Sequence, residues 1–210
     1  MEKRRISILG DSISTFAGYT PKDAVFYDSY VQWETGVKTV EDTWWMKVIH
    51  SVDGELGVNH SLAGSMVSGN LSTSAMSDER IIKLGDNGMP DMILVSAGCN
   101  DWGFCVLPEE FEESYQIMLH RIKKRYPHAD IWCATLPEGK QPEGEVFFNI
   151  DSTISKRVYS DIIRKVAAKA EVRVADLAKY QKEYETIDGI HPDKEGMTTL
   201  ADMWITEIKK

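Results

Sequence analysis

Apolar and polar positions change their period repeatedly along this chain, and each change marks an element. Residues 5–9 (Arg-Ile-Ser-Ile-Leu) form a short β-branched run suited to a buried strand. Residues 91–97 (Asp-Met-Ile-Leu-Val-Ser-Ala) are apolar almost throughout, the pattern of a central parallel strand covered on both faces. Shorter runs at 55–59, 129–134 and 172–174 predict three further strands. Between these runs the helical period takes over. Trp44, Trp45, Val48 and Ile49 stripe a helix over 43–52, capped by Asp42 and ended by Gly54. A short helix follows from Ser77 or Asp78 to Leu84. Phe111, Tyr115, Met118, Leu119 and Ile122 give the buried face of a helix over 108–126, with Pro108 and four glutamates at its start and Lys123, Lys124 and Arg125 at its end. A helix over 151–170 begins at Asp151. The last begins at Pro192, with Asp193 and Glu195 in its first turn, and runs to Ile208. Strands alternating with helices imply a parallel sheet covered on both faces.

Two stretches follow neither period. Residues 16–40 carry Phe16, Tyr19, Phe26, Tyr27, Tyr30 and Trp33 among glycine, proline and charged residues. That aromatic content argues against disorder and predicts an ordered flap. It either covers a sheet edge or walls an active site, and aromatic rings serve both purposes. Residues 136–148 read as a loop.

Composition narrows the function. With 210 residues, one domain spanning 1–210 can bury a sizeable core. A net charge of −9 disfavours a nucleic-acid partner, which would need a basic face. Three cysteines, Cys99, Cys105 and Cys133, form no metal-type spacing, and their odd number argues against a disulfide framework. No run of about 20 apolar residues predicts a membrane span. The basic start is followed by too short an apolar run for a secretory leader, so a cytoplasmic location is the expectation.

The candidate chemistry lies where strands end. Gly10-Asp11-Ser12 follows the first strand, at the sheet edge where open α/β proteins bind ligands. Asp11 and Ser12 are also good helix caps, so this tripeptide alone leaves both readings open. His60-Ser61-Leu62-Ala63-Gly64-Ser65 is a small-residue loop after the second strand, able to turn backbone N–H groups toward a ligand or to form a plain turn. Gly98-Cys99-Asn100-Asp101 follows the strongest strand and puts an amide at the same edge. Asp188-Gly189-Ile190-His191-Pro192 puts a histidine three residues beyond a carboxylate, just before the last helix. His50 and His60 read as surface or packing residues, and no third ligand at suitable spacing supports a metal.

Taken in order, these blocks resemble the SGNH hydrolases, which include the GDSL-type esterases and lipases. Gly10-Asp11-Ser12-Ile13 is similar to the first block, Asn59 to Gly64 to the second, Gly98-Cys99-Asn100-Asp101 to the third, and Asp188-Gly189-Ile190-His191-Pro192 to the fifth. The resemblance implies a three-layer α/β/α sandwich, flavodoxin-like, with a five-stranded parallel sheet in the order 2-1-3-4-5. It further implies Ser12 as nucleophile, His191 as base and Asp188 as its orienting acid. The oxyanion donors would be the Ser12 and Gly64 N–H groups and the Asn100 amide. Asp11 and Trp102 are candidate substrate contacts, though Trp102 can equally pack the loop. Asp101 is expected to hold that loop. No cofactor or metal is implied, and the expected partner is a small-molecule ester, short in its acyl group, such as an acetylated sugar. An acyltransferase using the same residues, and a non-catalytic flavodoxin-like binding module, are the two alternatives.

Overall fold

The computed structural model describes residues 3–143 and 153–210. Five parallel strands form one sheet in the order β2-β1-β3-β4-β5. They are β1 (Arg4–Gly10), β2 (Gly54–Asn59), β3 (Met92–Ser96), β4 (Asp130–Ala134) and β5 (Arg173–Ala175). Pairing runs Ile6 to Met92 and Ile8 to Leu94 between β1 and β3, and Met92 to Asp130 between β3 and β4. Because every strand runs the same way, all the loops that follow strands open on one edge of the sheet.

Alternation along the strands divides the core in two. Ile6, Ile8, Met92, Leu94, Trp132 and Ala134 face one side, under α2 (Trp44–Ser51) and α7 (Lys194–Ile208). Leu9, Ile93, Val95, Ile131 and Cys133 face the other, under α3 (Asp78–Lys83), α5 (Pro108–Arg125) and α6 (Lys156–Ala170). Trp44 and Trp204 stack with ring centroids 5.2 Å apart and lock α2 to α7. The covered sheet and its strand order agree with the architecture read from the sequence.

Some boundaries move. Thr43 rather than Asp42 caps α2, its hydroxyl accepting from the Met46 N–H. Asp42 instead accepts from Lys38 and Thr39 N–H in the turn before, and pairs with Lys194 at 2.9 Å. Gly54 opens β2 rather than closing α2. Pro192 lies ahead of the cap of α7; Asp193 is that cap and accepts from the Gly196 N–H. A carboxylate satisfies the free N–H groups of a first turn, which a proline ring only tolerates. The loop after β3 winds into a short helix, α4 (Cys99–Gly103). Within 16–40 the structure contains a helix, α1 (Ser29–Thr35), capped by Asp28, that the sequence pattern hides. Ser155 caps α6; the expected cap Asp151 and the end of the loop expected over 136–148 lie outside the described residues.

Candidate active site

Three loops from separate parts of the chain meet above the C-terminal end of β1. Gly10 ends the strand because nothing larger fits: a Cβ there would come within 2.7 Å of Ser14 Oγ and 2.9 Å of Ser61 Oγ. The next residues wind into a single tight turn, Ser12–Ser14, capped by Asp11, whose Oδ1 accepts from the Ile13 N–H at 3.1 Å. The turn holds Ser12 on the end of a buried strand.

The second group comes from the loop before α7. Asp188 folds that loop around itself, its Oδ1 accepting from the N–H groups of Ile190 at 2.9 Å and His191 at 2.7 Å. Gly189, between Asp188 and Ile190, takes φ +89°, a conformation that favours glycine. Two buried phenols hold the outer side: Tyr184 donates to the Ile190 carbonyl and Tyr27 to the Pro192 carbonyl, each at 2.7 Å.

These loops bring three side chains into line. His191 Nδ1 lies 2.6 Å from Asp188 Oδ2, and His191 Nε2 lies 2.9 Å from Ser12 Oγ. With the ring proton on Nδ1 donated to Asp188, Nε2 accepts the Ser12 hydroxyl. Burial would raise the Asp188 pKa, but hydrogen bonds from the His191 ring and from backbone N–H groups outweigh it and hold the carboxyl below its ordinary value. All three residues are buried, which strengthens their mutual electrostatics.

Phe26 is the wall. Its ring stacks on the His191 imidazole, 3.6 Å between centroids and 14° from parallel. Thr15, one residue past the Ser12 turn, fixes Phe26 by accepting its N–H at 2.9 Å. The aromatic flap therefore reaches the site through Phe26 and Tyr27. Tyr30 and Trp33, on α1, are exposed instead.

The remaining polar groups arrive from β2 and β3. Asn59 links the first two loops, donating to the Ser14 carbonyl at 2.8 Å and accepting from Ser61 N–H and hydroxyl. Gly64 lies in the second loop with φ +73°. Asn100, in α4, donates one amide N–H to the Ser65 carbonyl at 2.9 Å, which puts it beside Gly64. Asp101 is fully buried and accepts from Val67 N–H at 2.8 Å and Ser68 N–H at 2.9 Å, so it ties α4 to the second loop as expected. Trp102 turns its indole N–H to the Ile154 carbonyl at 2.9 Å, and the Lys156 ammonium lies 4.3 Å from the centre of its ring. Asp11 is buried between the site and a cavity of about 30 Å³ that Thr135 and Tyr184 also line. Burial raises its pKa to about 6, against the lowering pull of the Ile13 N–H, His191 and Arg80.

The family model described as GDSL-like lipase/acylhydrolase matches residues 4–208. The chain belongs to the GDSL-like lipase/acylhydrolase family. Its fold is similar to that of two structures described as GDSL-like lipases. One, from Bacteroides ovatus, has 23% identity and a TM-score of 0.74, covering 100% of this chain and 99% of its own. The other, from Bacteroides uniformis, has 24% identity and a TM-score of 0.70, covering 99% of this chain and 96% of its own. An acetyl xylan esterase has the same fold at 18% identity and a TM-score of 0.58, with 96% of this chain and 98% of that one covered. No curated protein sequence matches this chain significantly.

Arg80 was not anticipated as part of this neighbourhood. Its guanidinium is buried and touches both the Gly10 carbonyl and the second loop. The available signal was its place on the apolar face of α3, in step with Ser77, Ile81 and Leu84.

Proposed function

We propose that this GDSL-family protein is a serine esterase that cleaves small, short-acyl esters through an acyl-enzyme on Ser12. The observation that carries the reading is the continuous chain of short contacts from Asp188 through His191 to the Ser12 hydroxyl. A serine hydroxyl is a weak nucleophile at neutral pH and needs a base within hydrogen-bond reach. His191 Nε2 supplies that base. As Ser12 Oγ bonds to the ester carbonyl carbon, its proton moves to Nε2, and Asp188 steadies the imidazolium that results. The carbonyl π electrons move onto oxygen, and the Ser12 and Gly64 N–H groups and the Asn100 amide donate to that oxyanion. The intermediate collapses, the C–O bond to the alcohol breaks, and Nε2–H protonates the leaving oxygen. Water then adds to the acyl-enzyme by the same steps in reverse, which frees the acid and Ser12.

The substrate reading rests on Phe26 and Tyr27, which close the space beside His191 and favour a small acyl group, as in an acetylated sugar. A fluorophosphonate probe is expected to label wild-type protein at Ser12, located by peptide mass spectrometry, and Ser12→Ala and His191→Ala should each abolish nearly all activity on p-nitrophenyl acetate. Their losses should not add, because the residues act as one unit. A Ser12→Ala protein that retains a tenth of wild-type kcat overturns the nucleophile. A preference for palmitate over acetate or butyrate overturns the substrate class.

A further inference from the structure

The buried guanidinium of Arg80 spans the two loops that hold the proposed oxyanion donors. Nη2 donates to the Gly10 carbonyl at 2.7 Å and to the His60 carbonyl at 2.6 Å. Nη1 donates to Ser65 Oγ at 2.8 Å and to the Thr73 carbonyl at 3.0 Å. Gly10 immediately precedes Asp11 and Ser12. His60 and Ser65 bracket Gly64, and the Ser65 carbonyl accepts from the Asn100 amide at 2.9 Å. One side chain thus reaches the nucleophile loop directly, both ends of the Gly64 loop directly, and Asn100 through Ser65.

We propose that Arg80 is a positioning residue for the ester-cleaving reaction, fixing the spacing between the Ser12, Gly64 and Asn100 donors by clamping the two loops to one planar fork. The inference rests on the reading of Ser12 as nucleophile.

Three features favour this over simple packing. A buried arginine is costly unless its donors are used: Nε has no partner among the described residues, so the terminal nitrogens carry the compensation, and three of their four bonds go to the Gly10, His60 and Ser65 groups of the two loops, none to a carboxylate. The fork is planar and rigid, so four acceptors held by it keep a fixed separation, which a flexible ammonium cannot impose. The guanidinium also faces the Asp11 carboxyl at the start of the nucleophile loop: burial lowers its pKa to about 10, and the Asp11 charge raises it. Placement errors of about 1 Å in a donor set can cost about 100-fold in rate.

The test uses Arg80→Lys, which keeps the charge but loses the fork, and Ser65→Ala, which removes one acceptor. Active sites are counted by fluorophosphonate burst titration, so that misfolded protein does not lower the apparent kcat. Arg80→Lys is expected to lose roughly 10–100-fold in kcat per titrated site with KM within about twofold. Ser65→Ala should lose less, in the same sense, and the double variant should lose less than the product of the two. If Arg80→Lys fails to fold, Ser65→Ala carries the test by itself. Unchanged kcat per titrated site in the folded variants, with only a lower melting temperature, overturns the proposal and leaves Ser12 as nucleophile untouched. An unlabelled wild-type Ser12 would instead overturn the esterase reading itself.

Discussion

Asp11 should cost the fold stability at neutral pH, and replacing it should return that stability. Its carboxyl is buried, and its pKa rises from 3.8 to about 6, burial being the chief cause. The folded chain therefore holds a proton on Asp11 more tightly than the unfolded chain does. Between about pH 4 and pH 6 the unfolded state releases that proton first, so this residue's contribution to stability falls as pH rises through the window. The loss persists at higher pH. A displacement of this size corresponds to about 3 kcal/mol, an upper figure for a group whose surroundings can relax. Asparagine has nearly the same shape, and its Oδ1 can still accept from the Ile13 N–H, but it carries no charge. Asp11→Asn should match wild type near pH 4 and exceed it at pH 7.5 by up to about 3 kcal/mol, or roughly 6–12 °C in Tm for a chain of this size. Paired thermal melts at the two pH values read the difference directly and cancel the titrating groups that do not interact with Asp11. Because the Asp11 charge also faces His191, which turns cationic in the proposed reaction, the stabilised variant should have a lower kcat. A stability difference that is the same at both pH values, or a variant less stable than wild type at pH 7.5, would refute the reasoning.

Asn100→Ala should lower kcat by roughly 10²–10³-fold with little change in KM, since a fixed amide donor gains most once the oxyanion has formed; a raised KM with kcat intact would make Asn100 a plain substrate contact. Phe26→Ala should lower kcat roughly tenfold by freeing the His191 ring from the face that steadies it, with a broadened imidazole signal by NMR; a change confined to KM would restrict Phe26 to walling the substrate.

The sheet was legible because its central strands β3 and β4 are nearly continuous apolar runs, and two covered faces demand that pattern. Residues 91–97 could hardly fold as anything but β3. Helix ends were less legible, because the competing caps are neighbours in sequence. Asp42 and Thr43 both cap well, and only the fold shows that Asp42 is already engaged with Thr39 and Lys194. The helix α1 was hidden because Tyr30 and Trp33 point outward, which inverts the usual stripe. In the candidate site, Ser12, Asn100, Asp188 and His191 stand in short motifs in loops between elements, and those motifs single them out as candidates. Phe26 and Arg80 were not legible, since one works by a ring contact across 165 positions and the other by bonds to backbone carbonyls, and neither leaves a motif.

Ser12 and His191 are 179 positions apart, yet separated by one hydrogen bond. Closing so long a loop is entropically slow and depends on the intervening sheet. During synthesis the serine emerges early and waits as an ordinary hydroxyl until the Asp188 loop docks against Tyr27 and Phe26. On the proposed reading, the nascent chain is thus spared an activated serine until the sheet beneath it is complete. In reverse, loss of the proposed ester cleavage in mild denaturant should report the departure of that last loop ahead of the sheet's own melting, which would make turnover a local probe of one end of the fold.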